Sequence, residues 1–457
     1  MSLKPATTLA GIRENCFPKP LKSDEQIEAF YVDASAARSK HHVLVKELET
    51  RLGDRDVVRI LVYGHRGCGK STEFNRLCTQ LGNKWFPVRM AAGDYLPDSG
   101  VEAEDILLAI AVALVKGADE AGFQPSEFKK PFEKVENYFA EISETKTTEK
   151  EANATAGAGV NSEKSFWGKL FGLTGKLEAE LKYGRRSDST TVRKIRQTAG
   201  ELIAAVNAII QEFQSGLGED QTLLIIAEDL DKLPLLDADR IFAKNSQLLA
   251  AVNAHIIYTI PIFTLQCPER NRINSHFPNP KSLPMAKVIT LDGQKGPGYD
   301  VLEQIIYRRI AKEAIAPDAV DLVIRRTGGV FRDVFDALLS AATSSSAEIP
   351  LSKDTVARAL REMEDAHAKS IAYPVEDPEK SFTRPSSDPL FKRIEEIAKH
   401  QAAGESVSAK ADLEDQVLLA SGAVVEYNDE AWLGVHPLIW SWMKRQRYEM
   451  PDDPFGP

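Results

Sequence analysis

Cysteine is scarce, with four in 457 residues (Cys16, Cys68, Cys78 and Cys267) and no C-x-x-C pair among them. That spacing excludes a cysteine-built metal site and points to a reducing compartment rather than a disulfide scaffold. Long apolar runs are missing too. No window approaches the roughly eighteen uninterrupted apolar residues of a membrane helix. The N-terminal stretch MSLKPATTLAGIRENCFPKP has no apolar core of signal-peptide length, so a soluble cytoplasmic protein without a membrane span is expected. Positive charge is in deficit: 57 Lys and Arg face 67 Asp and Glu, a formal net charge of -10. Such an acidic body does not coat a polyanion, and any nucleic-acid contact must be regional. No internal repeat is visible, and no nuclease, protease or transferase constellation. A chain of this length exceeds one compact core, so about two to four domains are expected.

What is present is an alternation of strand-length and helix-length apolar segments. Residues 57–63 (VVRILVY) form a β-branched run, followed by helical spacing at Phe74, Leu77, Cys78 and Leu81. A second strand is predicted at 85–91 and a helix with a wide apolar face at 101–122. Helical spacing returns at 192–214, and 222–233 (TLLIIAEDLDKL) is the most apolar strand candidate, ending abruptly in acids. A helix over 236–251 and strands at 255–265 and 286–291 complete the series. The alternation predicts an α/β fold with a parallel sheet buried on both faces. Residues 299–370 read as helical throughout; 372–389, with four prolines, reads as a linker. Beyond it come helices and a hairpin, GAVVEYN and AWLGVHP, turning at Asp429 and Glu430.

The chemistry concentrates in Gly64-His65-Arg66-Gly67-Cys68-Gly69-Lys70-Ser71-Thr72, which fits G-x-x-x-x-G-K-[ST] between a buried strand and a helix. Glycines let successive N–H groups turn toward one anion, the helix N-terminus adds partial positive charge, Lys70 neutralises β and γ phosphates, and Ser71 offers an oxygen to Mg²⁺. Cys68 reads as a small residue at a variable position. A second half is expected from Glu228 and Asp229, which follow the apolar run Leu223 to Ala227 to the carboxyl edge of the sheet. Position assigns Glu228 to Mg²⁺, partly through water, and Asp229 to the attacking water. The alternative is an acid-rich helix N-terminus, which also suits Asp229 and Asp231.

These residues resemble the AAA+ and STAND branch of P-loop ATPases. GHRGCGKST, AEDLDKL and TGGVFRDVFDALL look like its Walker A, Walker B and sensor 2 elements. GYDVLEQIIYRRI looks like the first lid helix of origin-recognition type members, and GAVVEYNDEAWLGVHPLI like the wing of a winged-helix domain. The resemblance implies a P-loop NTPase core over 1–298 with an insertion at about 123–198, a helical lid at 299–371, a linker at 372–385 and a small α+β winged-helix domain at 386–457. It implies ATP and Mg²⁺, hydrolysis, a ring or partner-driven switch, and a setting in prokaryotic defence. Carried over residue by residue, Arg332 becomes the sensor 2 arginine, Thr259 the sensor 1 position, and Arg270 or Arg272 an arginine finger acting on a neighbour. Two departures bear on turnover: the acids run Glu then Asp, and the family's sensor 1 asparagine or arginine is absent.

Two segments speak to partners. Between Lys164 and Arg196 there are nine Lys or Arg against Glu178, Glu180 and Asp188, with Phe166, Trp167 and Phe171 at the start. Such a segment suits nucleic acid, a membrane surface or an acidic partner, or forms a packed insertion with a solvated basic face. The C-terminal helix SAKADLEDQVLLA carries Asp412, Glu414 and Asp415 against Lys410, a surface expected to repel phosphates. Trp432, Trp440 and Trp442 are core or a protein contact. The expectation is an ATP-driven switch that oligomerises or binds an effector protein; the alternatives are a DNA-binding or DNA-loading ATPase and a nucleotide-binding scaffold with negligible turnover.

Overall fold

A computed structural model describes residues 3–38, 44–53, 56–123, 189–218, 220–374, 386–427 and 432–456, with the backbone alone for 189–198. The expected insertion from 124 to 188, most of the basic segment Lys164 to Arg196, and linker residues 375–385 lie outside the described residues.

Five strands make one wholly parallel sheet in the order β2-β3-β4-β1-β5. They are β1 (Arg59–Tyr63), β2 (Trp85–Ala91), β3 (Thr222–Glu228), β4 (His255–Ile260) and β5 (Lys281–Ser282). β3 is buried from Leu223 to Glu228 because helices cover both faces. The helix Ala103–Glu120, apolar around most of its circumference, lies on one face with the helix Ser189–Gly216. The helices Leu44–Leu52 and Lys70–Leu81 cover the other. β4 stops at Ile260 because Pro261 cannot donate to the ladder, and Ile262–Leu265 turns into a 3-10 helix.

The expected strand at 286–291 does not form; the last strand of the parallel sheet is β5, upstream of it. The backbone of 286–288 is engaged elsewhere. The N–H of Gly298 donates to the Lys287 carbonyl (2.6 Å), that of Gly296 to Val288 (2.7 Å), and Lys287 donates to Ala37 (3.1 Å). The continuous helix expected over 236–251 is also broken, into Leu235–Ala238, a π-helical turn Asp239–Lys244 and Ser246–Ala250. Asn245 ends the turn by donating its side-chain amide to the Arg240 carbonyl.

Helices Pro297–Arg309, Pro317–Thr327, Phe331–Thr343 and Lys353–Lys369 pack around Leu302, Ile306, Val323, Val334, Leu338 and Val356. The second ends in the left-handed Gly328, and Gly329 follows with φ 96°, its backbone so close to Ala286 that a Cβ would lie 2.1 Å from that carbonyl oxygen. C-terminal helices Asp388–Ala402 and Leu413–Ser421 lead to the antiparallel hairpin of β6 (Val424–Tyr427) and β7 (Trp432–Val435), then the helix Pro437–Arg445. Val425, Tyr427 and Trp432 join the apolar cluster of Val62, Leu77 and Val330, so the hairpin is packed onto the P-loop face of the sheet. Trp440 is likewise core, while Trp442 is half-buried and stacks on Phe391. The acids of the preceding helix are not a bare negative surface, contrary to expectation. Asp412 caps the helix, Glu414 accepts from the Tyr373 hydroxyl, and Asp415 is 1% exposed, held by Arg393 at 2.8 Å. Among the described residues no helix is long and apolar enough to cross a membrane.

Candidate functional site

The chain leaves β1 at Tyr63 and turns through Gly64 to Gly69 into the helix Lys70–Leu81. Gly67 (φ 82°) and Gly69 (φ 99°) occupy backbone positions strained for other residues, and a Cβ on Gly67 would lie 2.6 Å from that of Arg332. The turn buries the Lys70 ammonium. Its Nζ donates to the carbonyls of Gly64 (2.8 Å) and His65 (2.9 Å) and pairs with Asp231 Oδ2 at 2.9 Å. Burial opposes both charges, yet each partner prevails: Lys70 is held above its ordinary pKa and Asp231 below its own.

β3 brings the acids to the same edge, two strands away from β1 with β4 between. Glu228 is 4% exposed; its carboxylate accepts from Arg89, whose Nε lies 2.5 Å from Oε1. Burial pushes its pKa up against the pull of Arg89. Asp229 leaves the strand with φ 64°, unusual for a residue with a side chain, and pairs with Lys232 at 2.7 Å. Thr259 on β4 is buried behind this turn. Its hydroxyl accepts from the Leu230 N–H (3.1 Å) and donates to the Ala227 carbonyl (3.4 Å), which fixes the loop carrying Asp229 and Asp231. Arg66 reaches over to donate to the Lys232 carbonyl at 2.8 Å.

A cavity of about 140 Å³ is lined by Lys70, Asp229, Asp231, Lys232 and Thr259, while Glu228, Arg89 and Arg66 lie outside its lining. Its polar lining includes Lys70, Ser71, Thr72, Asp229, Asp231 and Arg332, and its apolar lining Leu21, Phe30, Val32, Ile305, Phe331 and Phe335. The Arg332 N–H donates to the Gly67 carbonyl (3.3 Å), which seats the helix Phe331–Thr343 on the loop. Arg270 and Arg272 are not part of the cavity. Both are exposed on the short helix Arg270–His276, Arg272 3.4 Å from Gln247 Oε1.

Four further residues belong to the site. Asp231 stands in the acid cluster but reads from sequence as a helix-start acid. Arg89 looks like an outward strand residue. Arg38 is 4% exposed, donates Nη2 to the Cys68 carbonyl (2.8 Å), lies over Phe331 at 5.1 Å, and has no partner for Nε or Nη1. Arg309 sits between Phe30 and Phe335, and burial lowers its pKa to about 10. Nothing in local periodicity marks the last two.

The loop also touches the C-terminal hairpin. His65 Nε2 accepts from the Glu426 N–H at 2.7 Å, and the Tyr427 hydroxyl donates to the Gly328 carbonyl at 3.1 Å. Burial first, then Lys70 and His436, push the His65 pKa down to about 3, so the ring is a neutral acceptor. Beside this contact Asp333, His367 and His436 converge with metal-like spacing. His436 Nδ1, however, accepts from the Leu438 N–H (3.2 Å), which leaves the ring proton on Nε2, facing Asp333 Oδ2 at 3.1 Å. A ligating Nε2 requires the opposite tautomer. The cluster is a buried polar contact between the helix Phe331–Thr343 and the C-terminal segment, in which Asp333 Oδ2 and His436 Nε2 approach each other without forming a hydrogen bond.

The residues present fit a nucleoside triphosphate with Mg²⁺. Ammonium, helix N-terminus and arginine share the cavity lining, and a hydroxyl and a carboxylate supply the hard oxygen donors Mg²⁺ prefers. The rings of Phe30, Phe331 and Phe335 in the same lining suit a flat ring.

No protein-family model matches this chain, and no curated protein does. Similar solved structures include the Walker-type ATPase PABY2304 of Pyrococcus abyssi, 11% identical with a TM-score of 0.46, over 94% of this chain and 99% of that one. Cdc6p from Pyrobaculum aerophilum is 12% identical with a TM-score of 0.33, over 92% of this chain and 90% of that one. At these scores the likenesses carry no argument, and the nucleotide site stands on its own geometry.

Proposed function

We propose that this protein is a cytoplasmic ATP-binding switch of the AAA+/STAND kind, a P-loop ATPase whose nucleotide state governs the docking of its C-terminal winged-helix segment and, through it, oligomerisation or capture of an effector protein. A prokaryotic defence system is the setting the family resemblance favours. The observation that carries the reading is Lys70, buried at a helix N-terminus and held only by two loop carbonyls, Asp231 and a 3.8 Å contact to Cys68 Sγ. Phosphate oxygens are stronger acceptors than the carbonyls, so a nucleotide draws Nζ away from the loop. Ser71, with Glu228 partly through water, would hold Mg²⁺, which would neutralise the phosphate oxygens in the reaction. Arg332 approaches from the lid, Asp229 orients water, and Thr259 keeps the acid loop in place. Slow turnover fits a Thr259 hydroxyl already committed to the backbone.

The switch rests on His65. Movement of the loop carbonyls when Lys70 turns to phosphate shifts the ring that receives the Glu426 N–H. Hydrogen exchange over 424–427 and 432–435, with and without Mg·ATP, tests this. Faster exchange with nucleotide is expected; identical protection in both states contradicts the switch.

A further inference from the structure

Arg89 stands on β2, two residues before Ala91, the register partner of Glu228, so its side chain leaves the sheet on the Glu228 face. Its Nε donates to Glu228 Oε1 at 2.5 Å, its Nη2 closes on the same oxygen, and its Nη1 donates to Asn75 Oδ1. Asn75 is tied in turn to the Leu21 carbonyl. The guanidinium is therefore fixed by the P-loop helix as well as by the acid. One carboxylate oxygen is taken by a permanent cation.

We infer that Arg89 is a resident counter-cation of Glu228, a positioning residue that makes nucleotide binding at this site largely independent of Mg²⁺. The inference rests on the nucleotide-site reading above. A bare, buried carboxylate beside the P-loop helix repels a triphosphate bound there unless a divalent ion stands between. A guanidinium already on that carboxylate removes the repulsion, which leaves Mg²⁺ a part in turnover rather than in affinity. At separations of a few ångströms in a partly exposed site, one such charge changes an equilibrium by about tenfold or more.

The test is a titration of full-length protein with a non-hydrolysable ATP analogue, in excess Mg²⁺ and in EDTA. Wild type is expected to differ by less than about threefold between the two conditions, Arg89→Gln by at least about tenfold, and Arg89→Lys to stay near wild type because it keeps the charge. In the Glu228→Gln background, Arg89→Gln should have no effect on the Mg²⁺ ratio. A wild-type ratio above about tenfold overturns the inference without recourse to any variant, as does an Arg89→Gln ratio equal to or below that of wild type. Absence of analogue binding by wild type in both conditions overturns the nucleotide site itself, a different result.

Discussion

Replacing His65 with alanine removes the acceptor for the Glu426 N–H while leaving the glycines, Lys70 and Ser71 untouched. An amide left without a partner in a closed contact costs about 1–3 kcal/mol. The docked hairpin should therefore open about 5 to 150 times more often. The same bond makes docking acid-sensitive. His65 has a pKa of about 3 when docked, and about 6.5 is the value for an exposed imidazole. The docked pKa is the lower one, so stability is complete above about pH 6.5 and falls with pH until about 3, by about 1.4 kcal/mol per unit. Between pH 7 and 5 the loss is about 2 kcal/mol. Hydrogen exchange at Glu426, corrected for intrinsic rates, measures both effects. His65→Ala should lower protection at pH 7 and lose this share of the acid sensitivity. Unchanged protection in the variant, or the same pH dependence in both proteins, refutes the contact as a docking determinant.

Asp415→Ala should lower stability by about 3–5 kcal/mol by leaving Arg393 buried without its bidentate partner; a melting temperature close to wild type contradicts this. Gly329→Ala should destabilise strongly, because its Cβ would lie 2.1 Å from the Ala286 oxygen at a φ of 96°. Gly200→Ala, in a helix with open space around it, should stabilise by about 0.4–1 kcal/mol, and chemical denaturation of the pair compares them directly. If Arg270 or Arg272 acts on a neighbouring subunit, alanine at either should reduce turnover without changing ATP affinity, and light scattering should detect nucleotide-dependent assembly. A monomer in every nucleotide state refutes that role.

The parts of the fold that could be read from sequence are those where one local signal dominates. β3 is an apolar run that ends in acids, β2 a short run opened by Trp85 and Phe86 between Gly82 and Gly93, and the P-loop combines motif and context. The 286–291 segment misleads because its apolar alternation is that of a strand. Its carbonyls are claimed by Gly296 and Gly298 and its path closed by Gly329, a tertiary fact invisible in the run itself. The helix over 236–251 breaks where Arg240 is drawn to Glu102 and Asp237, partners that pattern does not reveal. Lys70, Glu228, Asp229 and Thr259 come together at one sheet edge as the strand order requires, and Arg332 reaches the loop from the helix Phe331–Thr343. Arg38, Arg89 and Arg309 stayed hidden because a lone arginine reads as a solvated charge until its neighbours are known.

The pairing of Lys70 with Asp231 decides how the nucleotide site is tested. Lys70→Ala alone leaves a buried carboxylate unpaired and risks unfolding. Lys70→Ala combined with Asp231→Asn removes the ammonium without that penalty. Calorimetric titration with ATP should give saturable binding to wild type, equal or tighter binding to Asp231→Asn, and no binding to the folded double variant. ATP binding of equal affinity to wild type and the double variant would contradict the account.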